Sequence, residues 1–191
     1  QHQSSCLDAH LLFVFLDIMK LGNSSNGKMK ERSINFILDS NIFDKLHELE
    51  NIDFLKKVHI YSTHIQRDEI LKIEESVKAD PDMDLATKMS KLQKMISMIS
   101  IIDNHTIIIP TDAAILELSG WSQVKWTREE DEDLLNYFKQ KCSRKNADML
   151  IAVTAIENKF TLVTEDQSLR AAVLGRYGKC WDFRRFFNYS E

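Results

Sequence analysis

The chain of 191 residues is 43% hydrophobic and 28% charged, with a net charge of -4. That is enough apolar material for one core, whereas two domains would each sit near the lower size limit for an independent one. The acidic balance excludes a protein whose affinity comes from a broad basic surface, while leaving room for a local basic rim around an acidic, metal-loaded centre. Three cysteines, Cys6, Cys142 and Cys180, odd in number and without a C-x-x-C pair, exclude a disulfide framework and a zinc site, and imply a reducing, cytoplasmic setting.

Leu11 to Leu21, LLFVFLDIMKL, is too short to span a bilayer and is interrupted by Asp17 and Lys20. It predicts an amphipathic or irregular N-terminal helix, and GNSSNGK (22 to 28) predicts a flexible linker. Residues 1–32 are therefore expected to be a helical extension and linker, and 33–191 the main domain. Ile34 to Leu38, INFIL, has the near-continuous apolar character of a strand buried on both faces, and it ends at Asp39. Ile42, Phe43, Leu46 and Leu49 then recur at helical spacing, with Ser40 as the expected cap. Val58 to Ser62 is a second strand, and Thr63 to Gln66 a capping box that opens a helix carrying Glu69.

Asp80-Pro81-Asp82 breaks that helix, and Leu85, Met89, Leu92, Met95, Ile96 and Ile99 predict an apolar stripe on the next, its methionines filling core, with an exposed Met-rich face for a partner as the alternative. His105 to Ile109 is expected as a third strand, and Asp112 to Trp121 as a short helix. Thr127 to Glu130 is a capping box for a helix carrying Leu134, Leu135 and Phe138. After the basic KQKCSRK segment, Asn146 opens a buried helix with Asp148 in its first turn. Phe160 to Thr164 is a short buried strand closed by Glu165 and Asp166. Leu169, Ala172, Val173 and Leu174 predict a last helix, and Cys180 to Phe183 an edge strand.

The alternation of strands and helices is that of an α/β fold with a parallel sheet, in which ligands bind beyond the carboxyl ends of the strands. Asp39, Glu69, Asp148 and Asp166 all occupy that edge. Two unit charges 4 Å apart repel by about 4 kcal/mol at an effective dielectric near 20, so four converging acids call for a cation. Magnesium or manganese, hard ions with oxygen ligands, suit such a cluster, and the chemistry it supports is phosphodiester hydrolysis. The acids elsewhere, including the EEDED run at 129 to 133, read as solvated faces.

FILDSNIF (36 to 43), STHIQRDEI (62 to 70), NADMLIAVTAI (146 to 156) and FTLVTEDQSL (160 to 169) together resemble the PIN-domain ribonucleases, the family that includes VapC-like toxins. The resemblance covers roughly Ile34 to Phe183. It implies a three-layer α/β/α fold with a mainly parallel sheet and a Mg2+- or Mn2+-dependent endoribonuclease. It puts the catalytic and metal-holding acids at Asp39, Glu69, Asp148 and Asp166. Ser40 and Thr164 would be hydroxyls on the substrate side, with Arg144 and Lys145, beside Lys141, meeting the phosphate backbone. The expected partners are RNA, a protein antitoxin and a second copy of the chain, with no membrane. The competing reading is a PIN-like module that binds RNA or protein without cutting. A haloacid-dehalogenase-like phosphatase would need an acid where Asn41 stands, a receiver domain an acid pair at the first strand, and a dinucleotide fold a G-x-G-x-x-G after it.

Overall fold

The computed structural model describes residues 34–115, 118, 123–125, 129–141, 146–176 and 178–190. The expected N-terminal helix and linker, the hydroxyl of Thr127, and Arg144 and Lys145 lie outside them. Five strands, β1 (Asn35–Leu38), β2 (His59–Ser62), β3 (Ile107–Ile108), β4 (Thr161–Val163) and β5 (Lys179–Trp181), form one sheet in the order β3-β2-β1-β4-β5. Every pairing is parallel.

Side chains alternate across a strand, and this sheet has a core on each face. Ile37 and Leu162 point to a layer built from α4 (Glu129–Lys141), α5 (Asn146–Glu157) and α6 (Gln167–Gly175), where Phe138, Leu150, Val153 and Val173 are buried. Phe36, Leu38 and Val163 point the other way, onto α1 (Ser40–His47), α3 (Leu85–His105) and α7 (Phe183–Ser190). The helix α2 (His64–Ala79) reaches both, through Ile65 to the first core and Ile70 to the second. The result is the expected three-layer α/β/α arrangement, with seven α-helices among the described residues.

Five expectations are corrected. Asp39, not Ser40, caps α1, its carboxylate accepting from the Ser40 amide. The third strand is two residues long, because α3 runs on through His105. No helix starts at Asp112: Thr111 bridges to Val124, and the buried Asp112 carboxylate is held by Lys125 at 2.8 Å and by the Asn158 amide, which ties the loop down locally. Gly178 is followed by β5 and then by an unexpected helix, α7, whose aromatic residues Phe186 and Phe187 pack on Phe36 and Phe54.

The fifth correction concerns the phase of α3. Leu85, Met89 and Ile96 are 72%, 62% and 63% exposed, while Met95, Met98, Ile101 and Ile102 are buried. A helix apolar on more than one side offers two candidate faces, and the face that meets α1 and α2 wins. At 21 residues α3 is about 32 Å long, and in its first turns Leu85 and Met89 are left to solvent.

Cys180 lies in β5, and burial pushes its thiol up to about 12 from an ordinary 9.0, with Asp39 and Asp182 adding to the effect and Arg170 opposing it. A raised thiol pKa favours the folded state below pH 9, where both forms are protonated, and the advantage is lost as the unfolded thiol ionises above it. Wild-type Tm is therefore expected to fall more steeply between pH 9 and 11 than that of a Cys180→Ala variant. Equal slopes would show that the thiol is accessible in the fold.

Candidate active site

The carboxyl edge of the sheet is organised around Asp39. Its backbone N–H donates to the Val163 carbonyl at 2.9 Å, extending the β1–β4 ladder by one residue, and its side chain is 3% exposed. One carboxylate oxygen, Oδ1, accepts from the Ser40 amide at 2.7 Å as the cap of α1. The other, Oδ2, accepts from Asn41 Nδ2 and from the Thr164 hydroxyl, both at 2.6 Å. A buried carboxylate satisfied on both oxygens is fixed in orientation, since any swing would leave donors unpaired.

Thr164 is the buried link to the next acid. It follows β4, donates its hydroxyl to Asp39 and accepts at the same oxygen from the Asp166 amide at 3.0 Å. Asp166 caps α6, with Oδ1 accepting from the Ser168 and Leu169 amides at 2.8 and 3.0 Å. A charge there is favoured by the helix N-terminus. On the other side of Asp39, the Ser40 hydroxyl donates to Glu69 Oε2 at 2.5 Å. Glu69, Ser40, Asp39, Thr164 and Asp166 are thus joined by one run of hydrogen bonds across α2, α1 and the ends of β1 and β4.

Glu69 owes its position to Gln66, one turn earlier. Gln66 is fully buried, donates Nε2 to the Leu38 carbonyl at 2.9 Å, and accepts from the Thr63 amide and hydroxyl at 2.8 and 2.6 Å. This is the expected capping box, with the addition that it locks the start of α2 onto the end of β1. Asp148 is half-buried in the first turn of α5. That helix returns the chain to the start of β4, so its own start lies at the carboxyl edge of the sheet. Its neighbour Ala147 lines a cleft of about 210 Å³ with Glu69, Asp68 and Lys72.

Glu165 turns away from this run. Its Oε1 accepts from the Phe183 amide at 2.9 Å, its amide donates to Asn41 Oδ1, and Lys45 approaches it at 3.9 Å. Asp68, the rival of Glu69, is exposed. His64 is buried, with Nε2 at 2.9 Å from the Leu118 carbonyl. Lys141 is exposed at the end of α4. The sequence reading missed Asn41 as a participant. The signal available was its spacing, two residues beyond Asp39 in the first turn of α1, the place where the dehalogenase comparison had looked for an acid.

The donors gathered here are carboxylate and hydroxyl oxygens, the set that suits a hard divalent cation rather than zinc or copper. Among the described residues, no three acid, histidine or cysteine side chains stand close enough, as placed, to enclose an ion. Glu69 lies on α2 and the half-buried Asp148 opens α5, where its neighbour Ala147 lines the same cleft as Glu69.

No protein-family model and no curated protein matches the sequence. Among solved structures, PAE2754 from Pyrobaculum aerophilum superposes with a TM-score of 0.54 over 83% of this chain and 96% of its own, at 11% identity. The chain has a PIN-like fold. With it go the parallel order β3-β2-β1-β4-β5 and the helical layers on both faces. VapBC2 from Rickettsia felis, bound to a promoter DNA fragment, gives a TM-score of 0.48 at 18% identity over 78% of this chain and 98% of that one. VapBC-5 from Mycobacterium tuberculosis, a member of the VapBC family of toxin-antitoxin systems, gives 0.40 at 15% identity over 78% and 96%. No helix among the described residues is long and apolar enough to cross a membrane.

Proposed function

We propose that the chain is a divalent-metal-dependent endoribonuclease that hydrolyses RNA phosphodiester bonds at the edge where Asp39, Glu69, Asp148 and Asp166 lie. The observation that carries this reading is the unbroken hydrogen-bond run from Glu69 through Ser40, Asp39 and Thr164 to Asp166 in a PIN-like fold. The four acids would hold Mg2+ or Mn2+, which when bound offsets phosphate charge, aligns the scissile bond and acidifies the attacking water. The chain's own residues do the positioning. Thr164 and Asn41 pin the Asp39 carboxylate, the Ser40 hydroxyl orients Glu69, and the α6 amides fix Asp166. Ser40 and Thr164, expected on the substrate side, are on this reading positioning residues, and Arg144 and Lys145 are among the residues that meet phosphate.

The test is cleavage of single-stranded RNA by purified protein with and without a divalent ion. Turnover is expected only with the ion, to stop in EDTA, and to fall about 10²-fold or more in Asp148→Asn, the scale for loss of one preorganised electrostatic group. Undiminished cleavage in EDTA would sink the metal mechanism, and unchanged turnover in Asp148→Asn would remove that residue. If the wild-type protein binds RNA without cutting it under Mg2+ or Mn2+, the non-catalytic module is the correct reading. Residues 33–191 alone are expected to keep the activity, with 1–32 as an extension. A cytoplasmic setting, a protein antitoxin and a second copy as partner complete the proposal. A small partner gene beside the coding sequence is the observation expected for the toxin role, and its absence would turn the reading to RNA processing or defence.

A further inference from the structure

Beside the acid run lies a groove that none of the four acids requires. Glu69, Ile73, Ser76, Lys72, Lys91 and Lys94 line a cleft of about 380 Å³ between α2 and α3. It is continuous, through Glu69, Ile73 and Lys94, with a cleft of about 240 Å³ that reaches Ser40 and Asn41. Three lysines therefore face a channel whose inner end is the acid site. Lys94 is paired with Asp44 on α1, which fixes its ammonium at the mouth. Lys72 and Lys91 make no ion pair within 4 Å among the described residues.

This placement runs against simple stability. Lys91 and Lys94 are three residues apart on one helix, where like charges are mutually destabilising, and Lys72 adds a third from the facing helix. In a chain of net charge -4 these clefts carry three lysines against two carboxylates, Glu69 and Asp44, and Asp44 is taken by Lys94. A polyanion is the ligand that fits, because one strand can lie on the lysines while it runs on toward Ser40, Asn41 and Glu69 at the inner end, where a divalent ion would offset the charge of a phosphate beside the acids. The long helix α3 supplies two of the three lysines, which gives its 21 residues a use beyond packing.

We propose that the α2–α3 groove holds the sugar-phosphate backbone of single-stranded RNA as it passes the acid site, with Lys72, Lys91 and Lys94 as its phosphate contacts. The proposal rests on the nuclease reading for the direction of the strand but not for its existence. Phosphate contacts made by lysines release counterions, so log K falls with log salt by about 0.7 for each contact to a single strand. The probe is a 5′-fluorescein-labelled single-stranded oligoribonucleotide, followed by anisotropy in EDTA during a KCl titration. The variant is Lys72→Gln/Lys91→Gln, which keeps the side-chain stems and spares the Lys94–Asp44 pair.

The slope is expected to fall by about 1.4 in the double variant, so that its affinity deficit shrinks about sevenfold between 50 and 200 mM KCl. With Mg2+ present, KM for RNA should rise with kcat little changed. An unchanged slope, or no binding of RNA by the wild-type protein, overturns the groove and returns these lysines to solvated helix faces. The two readings fail separately. Wild-type protein that cuts RNA while the variant keeps the wild-type slope defeats the groove alone. Wild-type protein that binds with the full slope but never cuts defeats the nuclease alone.

Discussion

Asp39→Asn is expected to lower RNA turnover about 10²-fold or more while leaving the protein folded. Asparagine is as good a helix cap as aspartate, so its Oδ1 keeps the bond from the Ser40 amide. Its amide nitrogen cannot accept, however, and it faces two donors, Asn41 Nδ2 and the Thr164 hydroxyl. The hydroxyl can rotate, but the Asn41 amide cannot, and one unsatisfied group in a site this buried costs about 1–3 kcal/mol. Set against the roughly 5–15 kcal/mol by which such domains are usually stable, that leaves the folded fraction nearly unchanged. A hundredfold loss of turnover must then come from the missing carboxylate and its orientation. The check pairs a cleavage assay with a thermal melt, and turnover within a few-fold of wild type would remove Asp39 from the chemistry.

Gln66→Leu is expected to destabilise the domain by about 2–4 kcal/mol, more than any single surface change. Leucine is close in volume and gains apolar burial. The exchange nonetheless leaves the Thr63 amide and the Leu38 carbonyl without partners in a fully buried site. The penalties for orphaned backbone groups outweigh the gain, so unfolding in urea should shift to a lower midpoint with its slope unchanged. Gln66→Glu gives a signed companion result. A carboxyl there meets the Leu38 carbonyl and is tolerated only when protonated, so its folded pKa is raised and its stability falls as pH rises through the acid range. A Gln66→Glu protein that melts at the same temperature throughout the acid range and at neutral pH would show that water reaches the site.

The sheet and most of its helices were legible because their signals are local and strong. INFIL and FTLV are apolar runs with one assignment, and the Thr63–Gln66 box is a reciprocal pair whose spacing identifies it. The places of Asp39 and Asp166 were legible, since an acid after a strand in an α/β alternation has one edge to occupy, whereas Glu69 and Asp148 lie on helices and no strand end marks them. What failed depended on partners the sequence does not name. Ser40 and Asp39 are equally good caps in isolation, and the choice was made by Glu69, which takes the Ser40 hydroxyl from α2. Met89 and Met95 belong to equally apolar faces of α3, and only the positions of α1 and α2 decide between them. The helix α7 was missed because the sequence reading stopped at Phe183, although Phe183, Phe186 and Phe187 recur at helical spacing; eight residues are too few to set a period alone, and their burial comes from Phe36 and Phe54 far away in the chain.

The bond between Thr164 and Asp39 joins residues 125 positions apart, and β4 must pair with β1 for it to form. Parallel pairings of such separation are slow to form, whereas β1 and β2, with the helices that follow them, are closer along the chain. At synthesis rates of roughly 5–20 residues per second, Asp39 leaves the ribosome's catalytic centre roughly 6–25 s before Thr164 is added. Through that interval Asp39 exists without the Thr164 hydroxyl that orients it, and for most of it without Asp148, so a ribosome-bound fragment ending before residue 148 is expected to be inert toward the RNA around it.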